Sequence, residues 1–347
     1  MEFGFSEDQR LFQQTVADLL ANECPHEAVA EAWKTESGQV PGLWEKLGEL
    51  GILGATVPEA SGGLGLDEVD LVLLLEESGR RACPEPIATV AGIAAPLLAE
   101  VGGDVATQWL PRIAAGEARV AVGLAGDRYV ADAAAADLLL LQHGDELHAL
   151  APGDVRLEAK PSVDGARRIY DVTWTPTPAS CIAAGTEGAA IARRAFDRGA
   201  WAAAAQLVGL ASELLDMSVE YAKGRVQFGQ PIGAFQAVKH HLANAKTRLE
   251  FARVPTYYAS NSLAHDLPSR ALDVSTAKAL ASDAAHLCFR TALQCHGAIA
   301  YTYEYPAHMW MKRVLVLERL HGDASWHRQR AARLLLDAPV PSDGATR

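Results

Sequence analysis

The sequence lacks an uninterrupted apolar run of about 18 residues, which is the length that a membrane-spanning helix needs. It also lacks a signal peptide, because its first residues include Glu2, Glu7 and Asp8 where a basic start and an apolar core would stand. These two absences argue against a membrane protein. They predict a soluble chain that is located in the cytoplasm.

Basic residues are fewer than acidic residues. The 347 residues include 31 Lys and Arg against 43 Asp and Glu, which gives a formal charge of −12. A chain of this sign is repelled by phosphodiester backbones and by anionic lipid surfaces. We therefore expect neither nucleic acid nor a membrane as a partner, and a bound anion would need local cations.

Cysteine is scarce and shows no metal-ligand spacing. The residues are odd in number, and buried free thiols are expected: Cys24, Cys83, Cys181, Cys288 and Cys295. His240 and His241 are adjacent, so they face different sides of a helix and do not chelate a metal together. No metal site is predicted. Apolar residues make up 49% of the chain, and its length suits two or three domains of a globular protein.

Two long helices are predicted on either side of the run RVQFGQPI at positions 225–232. Apolar side chains recur there at steps of three and four, which is typical of helices that pack on a bundle core: Leu207, Leu210, Leu214, Met217 and Tyr221 before the run, and Phe235, Val238, Leu242, Ala245, Leu249 and Ala252 after it. Gly224 and Gly229 permit unusual backbone angles in the turn, and Pro231 suits the start of the second helix.

Arg225 gives this turn a permanent positive charge. A guanidinium group can hold a diphosphate bidentately, and the backbone amide of Gln227 would add a donor. The alternative interpretation is an ordinary surface arginine near a helix end. The position between two bundle helices favours the anion site.

Other segments predict further elements. A third helix runs from about Ala271 to Gln294 and breaks at Gly297. The run SEDQ at positions 6–9 forms a capping box for an amino-terminal helix. The tail at 338–347, which contains Pro, Ser and Gly, is predicted to be frayed. Between residues 119 and 180, short apolar runs predict the strands of a small β-domain: Val120–Leu124, Asp137–Leu141 and Ile169–Trp174.

The run RVQFGQPI closely resembles the motif with which the acyl-CoA dehydrogenase family holds the diphosphate of FAD from a neighbouring subunit. The resemblance implies that Arg225, Gln227 and Phe228 contact that cofactor. The run QCHGAIAY at 294–301 is similar to the family's second flavin-phosphate motif and implies contacts from Gln294 and Gly297. Alanine stands at positions 298 and 300, where the family usually has glycine, and its methyl group limits how closely a phosphate can approach the backbone.

The resemblance covers most of the chain and implies a fold that is mainly α with a small β-domain. It predicts an N-terminal helical domain over 1–117, a reduced middle β-barrel over 118–182 and a C-terminal four-helix bundle over 183–347. In the family, the barrel cradles the flavin ring. Here the segment is short and lacks the family's Thr-Glu-Pro and Trp-x-Thr/Ser patterns, and only Gly123–Asp127 is similar to the first. We therefore expect the chain to hold a flavin ring poorly.

The implied reaction removes the proton α to an acyl-CoA thioester with a carboxylate base, while hydride passes to the flavin. The family's glutamate stands at one of two positions, which fall here at His321 and Gly199. Neither residue is a carboxylate. The remaining candidates are Asp323, if the loop is shifted by two residues, and His321, because an imidazole can act as a base near neutral pH. Ala200 replaces an arginine that lies beside the substrate in many relatives.

These losses resemble the shorter subunit of bacterial α2β2 acyl-CoA dehydrogenases, many of which act on bulky thioesters that include steroid side-chain CoA esters. The predicted function is an FAD-dependent oxidoreductase of lipid metabolism and steroid degradation, in which this subunit lends a diphosphate-binding half-site to a homologous partner. Two alternatives stay open. One is a self-sufficient homo-oligomer that uses Asp323 or His321 as its base. The other is a non-catalytic scaffold, or a relative of flavin monooxygenases and nitroalkane oxidases.

Overall fold

A computed structural model describes residues 4–337. The tail predicted to be frayed, 338–347, lies outside this range. Within the range the chain forms twelve α-helices, with a π-helical segment between α5 and α6: α1 (Glu7–Glu23), α2 (His26–Ala32), α3 (Leu43–Glu49), α4 (Glu68–Arg80), α5 (Ile87–Thr89), α6 (Ala95–Val101), α7 (Gly103–Ala114), α8 (Gly185–Gly224), α9 (Gln236–Ala264), α10 (Arg270–His296), α11 (Ala307–Leu317) and α12 (Ala324–Leu336).

The amino-terminal helices begin where the sequence supplies caps. Ser6 and Gln9 each accept a hydrogen bond from the other's backbone amide at the start of α1, so the predicted capping box is confirmed. Asp67 and Asp70 make the same exchange at the start of α4. The apolar side chains of these helices share one continuous core with the carboxy-terminal helices.

Helices α4 and α8 cross at very close range. A Cβ atom at Gly209 would lie 1.9 Å from the carbonyl oxygen of Glu76, and one at Gly79 would lie 2.1 Å from that of Gln206. Only glycine fits at both positions, because a methyl group would overlap the backbone of the facing helix. The crossing therefore fixes the amino-terminal helices against the bundle that carries Arg225.

The middle of the chain forms two small sheets. The larger has the strand order β1 (Val120–Gly123), β3 (Leu138–His143), β4 (Glu146–Leu150) and β7 (Cys181–Ala183). The smaller has the order β2 (Val130–Ala131), β6 (Ile169–Thr173) and β5 (Arg156–Lys160). Strands β1 and β3 are parallel, and the other pairs are antiparallel.

Apolar side chains of both sheets share a small core of their own. The three predicted runs coincide with β1, β3 and β6, differing by at most two residues at an end. The remaining strands were not predicted individually. They are short, or they leave much of their surface in solvent as β5 does, so their apolar pattern is weak.

Helices α8, α9, α10 and α12 form the carboxy-terminal bundle, and α11 packs beside α8 and α10. The predicted core residues Leu207, Leu210 and Leu214 are fully buried on α8. By length and composition, the 40-residue helix α8 could cross a bilayer. However, 78% of its most apolar stretch is buried inside the protein, as expected for the central helix of a folded bundle.

The turn between α8 and α9 is a hairpin whose strands are β8 (Val226–Gln227) and β9 (Gln230–Pro231). Phe228 and Gly229 form its tip with φ values of +53° and +81°, so the unusual angle predicted for Gly229 is confirmed. Gly224 ends α8 without a positive φ. The prediction for Pro231 is wrong, because an extended residue is needed there to close the hairpin and α9 begins only at Gln236.

Candidate functional site

The two predicted phosphate-binding motifs meet at one end of the bundle. The ring of Tyr221, one turn before Arg225, lies 4.5 Å from the ring of His296, at the end of α10. The ring of Tyr305 lies 4.5 Å from that of His296 and 6.0 Å from that of Tyr221, so the three rings form one cluster. The fold therefore brings the end of α8, four residues before Arg225, and the end of α10 together, although they are distant in the sequence.

The five residues predicted to contact FAD are exposed at this end of the bundle: Arg225, Gln227, Phe228, Gln294 and Gly297. The side chain of Phe228 is 92% exposed. Among the described residues, no carboxylate lies within ion-pair distance of Arg225. The guanidinium group is thus available to an anion supplied from outside the chain.

A groove of about 910 Å³ begins at Gln294 and runs between α9, α10 and the loop before α12. Its walls carry both charge signs. Arg248 and Arg290 lie on the two helices, and Glu318 and Asp323 lie at the loop. The groove is large enough for a nucleotide, since ligand pockets usually measure roughly 300–1,000 Å³.

The two positions predicted for the family's catalytic base touch each other in space. A Cβ atom at Gly199 on α8 would lie 2.6 Å from Nε2 of His321, which follows α11. Ala200 is fully buried beside them. Gly199 and His321 are distant in the sequence, yet the fold brings them into contact.

His321 is held in a fixed and unusual conformation. Its φ is +53°, its side chain is 8% exposed, and its Nδ1 lies 3.2 Å from Oδ2 of Asp127. Its carbonyl accepts a hydrogen bond from Nε2 of His327 at 2.8 Å. Nζ of the buried Lys278 donates to the carbonyls of Glu318 and Gly322, each at 3.1 Å. These contacts fix the loop on both sides of the imidazole.

Asp127 lies beside His321, and no motif in the sequence predicted a role for this residue. Burial acts to raise its pKa, but the contacts with His321 and the nearby Arg167 together outweigh burial, so the pKa is lowered overall. It stands in the segment Gly123–Asp127, which resembles a flavin-contacting pattern. This weak similarity is the only feature of the sequence that points to the segment. It does not indicate that Asp127 contacts His321, which lies in the loop after α11.

The cavity beside His321 and Gly199 measures only about 60 Å³. This is the space of about two water molecules. Burial raises the pKa of Glu85, on its wall, to about 7 and that of Asp132 to about 6. Oε1 of Glu85 accepts a hydrogen bond from the amide of Val40, whereas its Oε2 is buried without a partner. The cavity is too small for an acyl chain.

A loop of the β-domain closes one side of this cavity. Asp164 forms a buried ion pair with Arg313 of α11, and Arg313 also donates to the carbonyl of Cys83 at 2.8 Å. The guanidinium of Arg168 donates to backbone carbonyls around α2, including those of Trp33 at 3.1 Å and Glu36 at 2.9 Å. The loop is therefore tied to both helical regions.

Two family models match the chain over ranges on either side of the strands. The model described as Acyl-CoA dehydrogenase, C-terminal domain, matches residues 186–336, and that described as Acyl-CoA dehydrogenase, N-terminal domain, matches residues 6–117. The chain belongs to the acyl-CoA dehydrogenase family. The resemblance seen in the sequence is confirmed, and so are the oxidoreductase class and FAD as the family's cofactor.

Acyl-CoA dehydrogenase relatives match nearly the whole chain. IpdE2 of Mycolicibacterium smegmatis is 33% identical over 326 residues, which are 92% of this chain and 94% of IpdE2. IpdE2 of Mycobacterium tuberculosis is 32% identical over 323 residues, which are 92% of each chain.

Solved acyl-CoA dehydrogenase structures share the fold. A chain of the ChsE4-ChsE5 complex from Mycobacterium tuberculosis superposes with a TM-score of 0.88 at 24% identity, covering 98% of this chain and 100% of its own. Butyryl-CoA dehydrogenase from Megasphaera elsdenii gives 0.86 at 23% identity, covering 97% and 100%. A variant of the Tcur3481-Tcur3483 steroid ACAD gives 0.86 at 25% identity, covering 95% and 98%. The predicted fold class is confirmed.

FAD, the cofactor of the acyl-CoA dehydrogenase family, supplies the hydride acceptor when it is bound. The residues of this chain fit the diphosphate of FAD better than they fit its flavin ring. Arg225, which is exposed and has no carboxylate partner within residues 4–337, fits the diphosphate. The cavity beside His321 does not fit the flavin ring, because about 60 Å³ is far below the volume of a ligand pocket.

Asp323 lies outside that cavity. Its carboxylate accepts a hydrogen bond from the amide of Trp326 at 2.8 Å, caps α12 and faces the large groove. The geometry therefore gives Asp323 a capping role, and of the two predicted bases only His321 lines the cavity beside Gly199.

One cluster elsewhere has ligand types that metals use. Possible ligand atoms of Glu146, His148 and Cys181 lie within 4.8 Å of one another on β4 and β7. Both ring nitrogens of His148 already have partners, Oγ of Ser180 at 3.0 Å and Oε2 of Glu146 at 3.1 Å. Hydrogen bonds account for this arrangement, so we assign no metal to it.

Proposed function

We propose that this chain is the shorter, base-lacking subunit of a heteromeric, FAD-dependent acyl-CoA dehydrogenase. The observation that carries the proposal is the small size of the cavity, about 60 Å³, at the predicted base position, where His321 and Gly199 stand in place of glutamate. A homologous partner would supply the carboxylate and the pocket for the flavin ring. The thioester would bind there.

The open end of the bundle supports the second half of this proposal. Arg225 and Gln294 are exposed, and Arg225 has no carboxylate partner among residues 4–337. In an acidic chain of net charge −12, such a cation is suited to an anion that the partner carries. The diphosphate of the partner's FAD is that anion. Arg225 would grip it, with the hairpin amide of Gln227 as a further donor and Phe228, Gln294 and Gly297 around it.

Two of the structural neighbours support the substrate and the assembly. ChsE4-ChsE5 is a complex of two named chains, and Tcur3481-Tcur3483 is a steroid ACAD. By analogy, we infer a bulky, steroid-derived acyl-CoA as the substrate and an α2β2 assembly in the cytoplasm. The division into domains at residues 117 and 182 is part of the same proposal.

A second candidate function is favoured by the contact between His321 and Asp127. Nδ1 of the imidazole lies 3.2 Å from the carboxylate, and Nε2 points toward Gly199. In a homo-oligomer, this nitrogen could take the α-proton of a thioester if the cavity opened. The cavity must enlarge several-fold for that, so the heteromeric proposal is preferred.

The flavin content of purified protein separates these proposals. We expect the isolated chain to be colourless, and its complex with a homologous partner subunit to show the absorption bands of bound FAD. A full flavin complement and thioester oxidation by the isolated chain would support the His321 candidate. The absence of flavin from both preparations would support a scaffold.

Variants of Arg225 test its proposed contact with the diphosphate of FAD within that complex. Arg225→Ala should lose FAD on gel filtration while helix content by circular dichroism stays unchanged. Arg225→Lys should retain an intermediate amount, since an ammonium keeps the charge without the bidentate grip. Arg193→Ala, an exposed arginine on α8 remote from the hairpin in sequence, is the control. Full flavin occupancy in Arg225→Ala would contradict the assignment.

A further inference from the structure

A separate pocket of about 270 Å³ lies between the end of α10, the segment that follows it and α11. None of its lining residues lines the groove beside Gln294 or the cavity beside His321. We propose that this pocket binds an amphiphilic monocarboxylate, a small molecule in which one carboxylate is attached to a short apolar body. This ligand is neither the proposed cofactor nor the proposed substrate.

Helix periodicity gives the pocket its apolar walls. Phe289 and Leu293 are four residues apart on α10, so they share one face of that helix. Met311 and Leu315 share a face of α11 in the same way. All four side chains line the pocket, and Phe289, Leu293 and Leu315 are partly exposed there. Covering this surface with an apolar body removes it from water, which favours binding.

The polar end of the pocket carries Lys312, which has no carboxylate within ion-pair distance among residues 4–337. Its Nζ lies 4.6 Å from the ring centroid of Tyr303 and 5.1 Å from that of Trp33, so two aromatic rings position the ammonium group. In the described part of the chain, its one hydrogen-bond acceptor is the hydroxyl of Tyr303 at 3.4 Å. An ammonium group has three donors, so Lys312 can donate to a ligand.

His308 adds a second group without a partner at this end. It lines the same pocket one turn before Lys312, and its ring lies 4.9 Å from that of Tyr303. Its Nδ1 is buried and makes no hydrogen bond within the described residues, which is costly for a polar atom. Burial and the nearby Lys312 lower the pKa of the ring, so it is neutral at pH 7 and can donate from Nδ1 in one tautomer.

These features together select a monocarboxylate. Its two oxygens can accept from Lys312 and from His308, and its single negative charge balances the one ammonium group. A diphosphate would place unpaired oxygens against the apolar walls, which is unfavourable. The volume of about 270 Å³ is near the lower end of the usual range of roughly 300–1,000 Å³, so the apolar body must be short.

Titration calorimetry of the full-length chain with octanoate and octanamide tests the pocket. The two probes have the same apolar body, and only octanoate is charged. We expect wild-type protein to bind octanoate about tenfold more tightly than octanamide, since a hydrogen bond between charged groups accounts for a change of this size. Lys312→Met should bind octanoate about tenfold more weakly and octanamide as before. Lys239→Met, an exposed lysine on α9 outside the pocket, should bind both probes as wild type does.

A variant of the apolar wall tests the other half of the site. Leu315→Gln places an amide among the apolar side chains and should weaken the binding of both probes by the same factor, with helix content by circular dichroism unchanged. Equal affinities for both probes in the wild type would overturn the inference, and so would no binding of octanoate at millimolar concentration. The wild-type comparison needs no variant, so it decides the matter even where a variant folds poorly. None of these measurements depends on flavin, so their failure would leave the proposed function standing.

Discussion

The exposed end of the bundle and the cavity beside His321 are the two places where the sequence predicts site residues, yet their charged residues contact very different groups. At the bundle end, Arg225 is exposed and has no carboxylate partner among residues 4–337. Around the cavity, Arg313 is bound to Asp164, and His321 lies against Asp127. Arg225 can therefore accept an anion from outside the chain, whereas the paired buried charges hold the wall of the cavity together.

The difference has a thermodynamic basis. A buried ion pair has lost the hydration of both partners, so removing one partner leaves an uncompensated charge inside the protein. An exposed arginine keeps its hydration and can exchange water for phosphate at little cost. The cavity is therefore expected to resist opening, while the bundle end is expected to bind without reorganisation.

The largest expected effect comes from breaking the closed region. Arg313→Met removes the partner of the buried Asp164 and should lower the free energy of unfolding by about 3–5 kcal/mol in urea titrations. Arg319→Met is the control. Its side chain is 78% exposed, and the change should stay within about 0.5 kcal/mol. A loss of similar size in both variants would show that the cavity wall is not specially dependent on its ion pair.

A smaller effect is expected where the two base positions touch. Gly199→Ala puts a methyl group against the imidazole of His321 and should lower the free energy of unfolding by about 1–3 kcal/mol. Gly224→Ala is the matched change at the other end of α8, where no atom lies within 4 Å of the added carbon. It should be neutral or stabilise by up to about 1 kcal/mol. Equal free energies of unfolding for the two variants would mean that His321 can move away from the added methyl group at little cost.

The buried Lys278 makes the closed region sensitive to pH. Burial lowers its pKa from 10.5 to about 7, so between these values the folded state binds fewer protons than the unfolded state. The free energy of unfolding should rise with pH across this interval by up to about 1.4 kcal/mol per pH unit, and this stability is lost as the pH falls toward 7. Lys278→Met should flatten the slope. An unchanged slope in denaturant titrations at several pH values would exclude this role.

The smallest effect on folding is expected at the open end. Phe228→Ser changes a side chain that is 92% exposed, so the free energy of unfolding should stay within about 0.5 kcal/mol. Association with the partner subunit should weaken, because exposed aromatic residues are frequent anchors of interfaces. Sedimentation of the co-expressed complex measures this. Unaltered assembly together with full flavin content would remove Phe228 from the interface.

Local patterns accounted for much of the architecture. The apolar repeats around RVQFGQPI predicted α8 and α9, because a helix buries one face at a fixed period. The SEDQ run predicted the start of α1, because capping is a contact between near neighbours in sequence. The short strands were harder to predict, since pairing between distant segments stabilises them more than their own residues do.

By itself, the sequence indicated the family, the helices α1, α8, α9 and α10, the turn that carries Arg225, and the absence of glutamate at positions 199 and 321. Only the tertiary structure decided that these positions touch, that Asp127 lies against His321 and that the cavity between them is nearly filled. The physical reason is the distance along the chain over which each interaction acts. Periodicity and capping act within a few turns of chain, whereas the closing of a cavity depends on side chains that meet only after the domains have packed.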